Sequence, residues 1–229
     1  MPCDHVRIPV SIVGFVASTM YVVSQLRKEK KSKDLPPLPI CEVVFVLGGP
    51  GAGKGTQCQL LKERLAGWAH LSAGDLLREE RLAGGELGDL INAKIASGEL
   101  VRSAITCKCL ERGMIKEFQN HGTTKFLIDG FPRSHENMQA WVDTMSYHTL
   151  KMVLYFECPE EVLVGRLLER GQTSGRSDDT IDVIRKRFRT FQQETLPIVQ
   201  DLESNGSTVH KILSDQSIEQ VYNKVAALF

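Results

Sequence analysis

The sequence predicts an α/β protein: a parallel sheet with helices on both faces. Two observations carry this. From residue 41 onward, short apolar runs rich in β-branched residues alternate with longer mixed stretches, the pattern of strands joined by crossover helices. The first of these runs leads directly into "GGPGAGKG" (48–55). So much glycine would ruin a helix or strand interior, but it suits a loop whose bare backbone approaches something closely. With 229 residues, 42% hydrophobic and 24% charged, the chain has ordinary globular composition and length for one large core or two small ones.

The first forty residues stand apart from that pattern. "IPVSIVGFVASTMYVVSQL" (8–26) has no charge in nineteen residues; as a helix it would be about 28 Å long, close to the roughly 30 Å hydrocarbon core of a bilayer. "RKEKKSK" follows, then "DLPPLP", a stiff Pro-rich linker. A cleavable secretory signal fits poorly, because no basic region leads the apolar run. A mitochondrial transit peptide should be Arg-rich, and only Arg7 precedes the run. The expectation is an N-terminal hydrophobic extension (1–40) that anchors a domain (41–229), with the basic flank keeping that domain on the cytoplasmic side. The mitochondrial outer membrane and the endoplasmic reticulum both fit. The alternative is a soluble cytoplasmic or nuclear protein whose helix docks on the domain, with Ser11, Ser18 and Gln25 as its thin polar stripe.

In the remainder, "EVVFVL" (42–47), "KFLIDG" (125–130) and "MVLYFEC" (152–158) read as buried parallel strands. "STVHKIL" (207–213) is a fourth strand and short "AHLS" (69–72) a fifth. "KGTQCQLLKERLA" opens a helix at Lys54, and a last helix runs from about Asp215. No internal repeat is visible. Lys+Arg and Asp+Glu are both 28, so nothing calls for a nucleic-acid partner. The six cysteines are scattered, with Cys107-x-Cys109 the one tight spacing; reduced thiols are the expectation rather than a zinc site or disulfide framework.

Gly48, Gly53 and Lys54 have the spacing of a phosphate-binding P-loop, between a strand and a helix start. Backbone N–H groups there point inward and the helix N-terminus adds positive charge, so phosphate is the natural ligand. Lys54 can reach the β- and γ-phosphates. Gly55 stands where Ser or Thr usually binds magnesium, and Thr56 comes one residue later.

Three further motifs accompany the loop: "LSAGDLLR" (71–78), "GFPR" (130–133) after Asp129, and "LLERGQTSGRSDD" (167–179), with Arg187 beyond it. With these in order from about residue 41 to the end, the sequence resembles the nucleoside monophosphate kinases, and among them most the UMP-CMP kinases of eukaryotes. The resemblance implies a P-loop NTP hydrolase-like three-layer sandwich with a five-stranded parallel sheet. It also implies a small NMP-binding flap (about 72–102) and a short lid (about 170–180), on a kinase domain expected to be monomeric. The implied reaction is reversible transfer of the ATP γ-phosphate to CMP or UMP, with dCMP as a further candidate acceptor.

Phosphoryl transfer needs positioning and positive charge rather than a protein nucleophile, and arginine grips phosphate bidentately. By resemblance, Gly51, Ala52, Gly53, Lys54, Gly55 and Thr56 cradle ATP, with Arg170 and the backbone of Gln216. Ser72, Ala73, Arg78, Val101, Gly130, Phe131, Pro132, Arg133 and Asn137 hold the acceptor. Arg176 and Arg187 close over the transferring group. Lys54, Asp129, Arg133, Arg170, Arg176 and Arg187 form the catalytic set. No dedicated metal cage is implied; Mg²⁺ is held by phosphates and water, with Asp129 nearby. The Asn137 amide, turned by half a rotation, would match either cytosine or uracil; a lesser role in capping its own helix is the other reading. Ala73 stands where adenylate kinases usually have threonine. Arg102 departs from the family, which usually has proline there, and "ERLAGGELGDLI" is one residue shorter than in UMP-CMP kinases. An adenylate kinase and an inactive membrane-tethered nucleotide-binding module are the alternatives.

Overall fold

The computed structural model describes residues 38–173 and 180–229. The extension up to residue 37 and Arg176 of the lid segment lie outside the described residues. The described chain forms five strands: β1 (Glu42–Gly48), β2 (Trp68–Ser72), β3 (Lys125–Asp129), β4 (Thr149–Glu157) and β5 (Val209–Leu213). All pair in parallel, in the order β2-β3-β1-β4-β5. The predicted α/β class and five-stranded parallel sheet are therefore present.

β1 explains the layering. Val43, Phe45 and Leu47 point to one face and Val44 and Val46 to the other, all 0–1% exposed, as the two-residue period of a strand requires. On the first face lie α4 (Ser103–His121), α5 (His135–Met145) and α8 (Leu196–Ser204). Phe45, Phe131 and Trp141 pack there, with Trp141 edge-on to Phe45 at 5.1 Å, a favoured aromatic arrangement. On the second face lie α1 (Lys54–Arg64), α6 (Glu160–Thr173), α7 (Ile181–Thr190) and α9 (Ile218–Ala226). A smaller cluster of Leu77, Ile91, Val101, Ile105 and Cys109 joins α2 (Ala73–Leu82) and α3 (Gly85–Ala96) to α4. Residues 72–102, the segment expected to be the flap, thus pack on α4 through a cluster separate from the two sheet faces.

Two boundaries differ from expectation by three residues. β4 starts at Thr149, three residues early, because Thr149–Lys151 are partly exposed at the sheet's lower end and break the apolar run. α9 starts at Ile218, because Ser217 forms a capping box with Gln220, which satisfies the first orphan N–H groups. Among the described residues no helix is long and apolar enough to cross a membrane; the 8–26 run lies outside them.

Candidate active site

β1 and β3 lie side by side, and both leave the sheet at the same rim. β1 passes into the glycine loop. β3 passes into Gly130, whose N–H donates to the Val46 carbonyl at 2.9 Å. The two loops are thereby held against each other, at the carboxyl ends of parallel strands where α/β folds place ligands. A cavity of about 820 Å³ opens there, within the size range of ligand pockets.

Gly51 cannot carry a side chain: its φ is +86°, and an added Cβ would stand 2.8 Å from the Leu163 carbonyl. Gly53 takes the left-handed conformation as N-cap of α1. Lys54 curls back over the loop, donating from Nζ to the carbonyls of Gly48 and Gly49, each at 2.9 Å. Its ammonium is lowered to about 8, chiefly by burial, with Asp129 opposing that shift and Arg133 and Arg187 adding to it.

The Asp129 carboxylate stands over the start of α1, with Oδ2 3.4 Å from where a Gly55 Cβ would sit. His70 Nε2 lies 3.5 Å from the same oxygen, in ion-pair range but without a hydrogen bond. Gly130 (φ +72°) makes room for Arg133, because an added Cβ would lie 2.6 Å from Arg133 Nη2. Arg133 Nε donates to the Gly130 carbonyl at 2.6 Å. Arg78, on α2, is held by Asp75 through Nε at 3.1 Å and also through Nη2.

The cavity wall contains Gly51 to Thr56, Arg170 and Gln216 on the side of the glycine loop. It also contains Ser72, Ala73, Arg78, Val101, Asp129, Gly130, Arg133, Asn137 and Arg187. The structure does not bring Phe131 and Pro132 into it: Phe131 is fully buried against Phe45, so its part is to anchor the loop from below.

Asn137 differs from the freely turning amide expected above. Its Oδ1 accepts from the Arg133 N–H at 2.9 Å, and its Nδ2 donates to Ser103 Oγ at 2.8 Å. Half a rotation would set the amide NH₂ against the Arg133 N–H, donor against donor, so the amide has one orientation. One N–H and one lone pair remain beyond these bonds. Helix capping belongs to Ser134, whose Oγ accepts from the Asn137 N–H, while the Asn137 side chain reaches back to the residue before the cap.

Several wall residues escaped the sequence reading: His70, Glu99, Arg166 and Thr195. Arg166 had a visible signal, since it lies one helical turn before Arg170. Its Nη1 donates to the Ser214 carbonyl at 2.8 Å, tying α6 to the end of β5.

The sequence model of the family described as Adenylate kinase matches residues 46–207, which is more than half of the chain. The chain belongs to the adenylate kinase family. Curated relatives sharpen this. The UMP-CMP kinase of Gallus gallus is 47% identical over 190 residues, 82% of this chain and 96% of that protein. UMP-CMP kinase 3 of Arabidopsis thaliana is 48% identical over 187 residues, 82% of this chain and 88% of that protein. The uridylate kinase of Saccharomyces cerevisiae is 46% identical over 184 residues, 80% and 88% of the two chains. For this adenylate kinase family member, the matched region begins inside β1 and takes in the glycine loop, β2, β3 and β4; β5 and the cavity residues from Ser214 to Val221 lie beyond it.

Proposed function

We propose that this chain is a UMP/CMP kinase: it transfers the ATP γ-phosphate reversibly to CMP or UMP, and also dCMP, giving ADP and the nucleoside diphosphate. One observation carries the reading. The phosphate loop and the Arg78, Arg133 and Asn137 side chains share a single cavity, large enough for two nucleotides end to end. Relatives named for UMP and CMP, at 45–48% identity, favour a pyrimidine acceptor over AMP.

In this reading the glycine-loop N–H groups take the ATP phosphates and Lys54 leaves its two carbonyls to meet them. Arg78 and Arg133 hold the acceptor phosphate in line with the γ-phosphorus. Arg187, with Arg170 and Arg176 of the lid segment, covers the charge that spreads over the transferring oxygens. Ala73 and Asn137 face the base. The Asn137 N–H and lone pair left over serve the pyrimidine edge, and the Thr106 hydroxyl on the same wall, which donates to the Arg102 carbonyl at 3.4 Å, keeps its lone pairs to accept from the base. The 72–102 segment acts as flap and the lid excludes water, which would otherwise take the phosphate.

The donor set near Asp129 fits Mg²⁺: one buried carboxylate facing a phosphate loop suits an ion that keeps its waters and substrate phosphates, and among the described residues no three His, Cys, Asp or Glu side chains cluster as a cage. Asp129 would hold the ion through water, and the ion would neutralise phosphate charge when bound. The 8–26 run is read as a membrane anchor on its sequence alone. Deleting residues 1–40 is expected to leave kcat unchanged and to move the protein from the membrane fraction to the supernatant.

The deciding measurement is ADP release by the full chain with CMP, UMP, dCMP and AMP side by side. CMP and UMP should exceed AMP in kcat/KM by at least about tenfold. A preference for AMP would overturn the assignment. The double variant Asn137→Gln with Ala73→Thr should raise the AMP-to-CMP ratio by at least about tenfold.

A further inference from the structure

Between α7 and α8 the helix widens into one π-turn, Phe191–Thr195. The Leu196 N–H reaches back five residues to the Phe191 carbonyl. Pro197 explains the widening, since it has no N–H for the residue four before it and its ring clashes with that carbonyl. Turns of this kind re-aim side chains and recur at functional sites. Here the re-aimed residue is Thr195. It is polar yet 5% exposed, it lines the cavity, and its Oγ1 donates to the Arg133 carbonyl at 3.0 Å.

The Arg133 main chain is therefore gripped at both polar groups by different elements. Asn137 of α5 takes its N–H at 2.9 Å, and Thr195 of the π-turn supplies a donor to its carbonyl. The π-turn also continues directly from α7, which carries Arg187. One rigid helical piece thus holds Arg187 and, through a single hydroxyl, the backbone under Arg133.

We infer that Thr195 is a positioning residue for phosphoryl transfer: its hydroxyl sets the Arg133 backbone in register with Arg187, so that the guanidinium on the acceptor phosphate and the one on the transferring group are held in line with each other. The inference rests on the proposed function, in which Arg133 grips the acceptor phosphate. A buried threonine that only supported the fold would affect melting temperature and leave kinetics alone. A positioning threonine acts on the acceptor step, where a displacement of about 1 Å costs on the order of a hundredfold in rate.

The test compares the full-length protein with Thr195→Val, which keeps the shape without the hydroxyl, with Thr195→Ser, which keeps the hydroxyl, and with Arg133→Ala. Thr195→Val should lower kcat/KM for CMP by about tenfold or more while the KM for ATP stays within about twofold, and Thr195→Ser should return to within about threefold of wild type. If the valine variant does not fold, Thr195→Ala takes its place with the same criteria. Normal acceptor kinetics in the valine variant beside a crippled Arg133→Ala would overturn the inference and leave the assigned role of Arg133 standing. A serine variant as impaired as the valine one would also overturn it, by showing that shape rather than the hydroxyl matters. Near-normal turnover in Arg133→Ala would remove the reading of Arg133 itself, and the role of Thr195 with it.

Discussion

Lys54 is buried among its own loop carbonyls, and its ammonium is lowered to about 8, chiefly by that burial. The sign follows. Below that value the side chain is charged and attracts phosphate; above it the neutral amine does not. Bound phosphate brings negative charge close and raises the value again. We therefore expect kcat/KM for ATP to fall above about pH 8 while kcat holds to higher pH, since the two profiles report the free and the loaded enzyme. A kcat/KM that stays level from pH 7 to 10 would contradict this. Lys54→Ala and Arg133→Ala should each lose at least about a hundredfold in kcat, roughly 3 kcal/mol of transition-state stabilisation, with an unchanged circular dichroism spectrum. At this scale the sequence was readable where a motif fixed the spacing, as for Lys54, Asp129 and Arg133. It named Asn137 but was silent on how its amide is anchored, because the partner Ser103 lies thirty-four positions away in the chain.

Among the elements, the link between α3 and α4 carries a clasp. Glu99, which lines the cavity, binds Lys94 at 2.6 Å and Lys186 of α7 at 2.9 Å. Hydrogen bonds from these two lysines hold its carboxyl down to about 2. Because the folded value is depressed, the clasp is fully charged above the usual carboxylate range and is lost only as pH falls toward 2. Salt, not pH, is the lever at neutral conditions. Glu99→Gln should raise the acceptor KM about two- to threefold at low salt, as exposed pairs allow, leave kcat alone, and lose its effect near 1 M salt. Strands were legible because a strand covered on both faces reads as an unbroken apolar run. The π-turn was not legible: "FQQETLP" keeps a helical polar pattern, and only the proline hints at a break.

Across the whole molecule, the lower end of the sheet is fastened by a buried histidine. His148 Nδ1 accepts from the Cys41 N–H at 3.2 Å, so the ring is neutral and carries its proton on Nε2. Burial lowers its pKa from the usual 6.5. The unfolded chain then takes up a proton more readily than the folded one as pH drops below about 6.5, and stability declines through that window down to the lowered folded value. Melting curves at pH 7, 6 and 5 should fall more steeply for wild type than for His148→Gln, whose amide oxygen can still accept from Cys41; parallel slopes would rule out His148 as the cause. The overall architecture was the most legible level, because alternation along β1 places apolar side chains on two faces and demands helices on each. What the sequence hid were contacts between distant segments, such as this one across 107 positions.

That same lower end has a consequence for how the molecule can be cut and rejoined. Lys151 touches both ends of the domain: it pairs with Glu42 at the start of β1, 3.3 Å away, and its ammonium lies 5.7 Å from the ring of Phe229. Phe229 itself packs edge-on against Trp68 at the foot of β2. The two ends therefore emerge as neighbours on one pole, and the cavity opens at the other, a strand's length of about 20 Å away. A short splice across that pole would close the domain into a ring, or graft it whole into a surface loop of another protein, with its mouth still facing solvent.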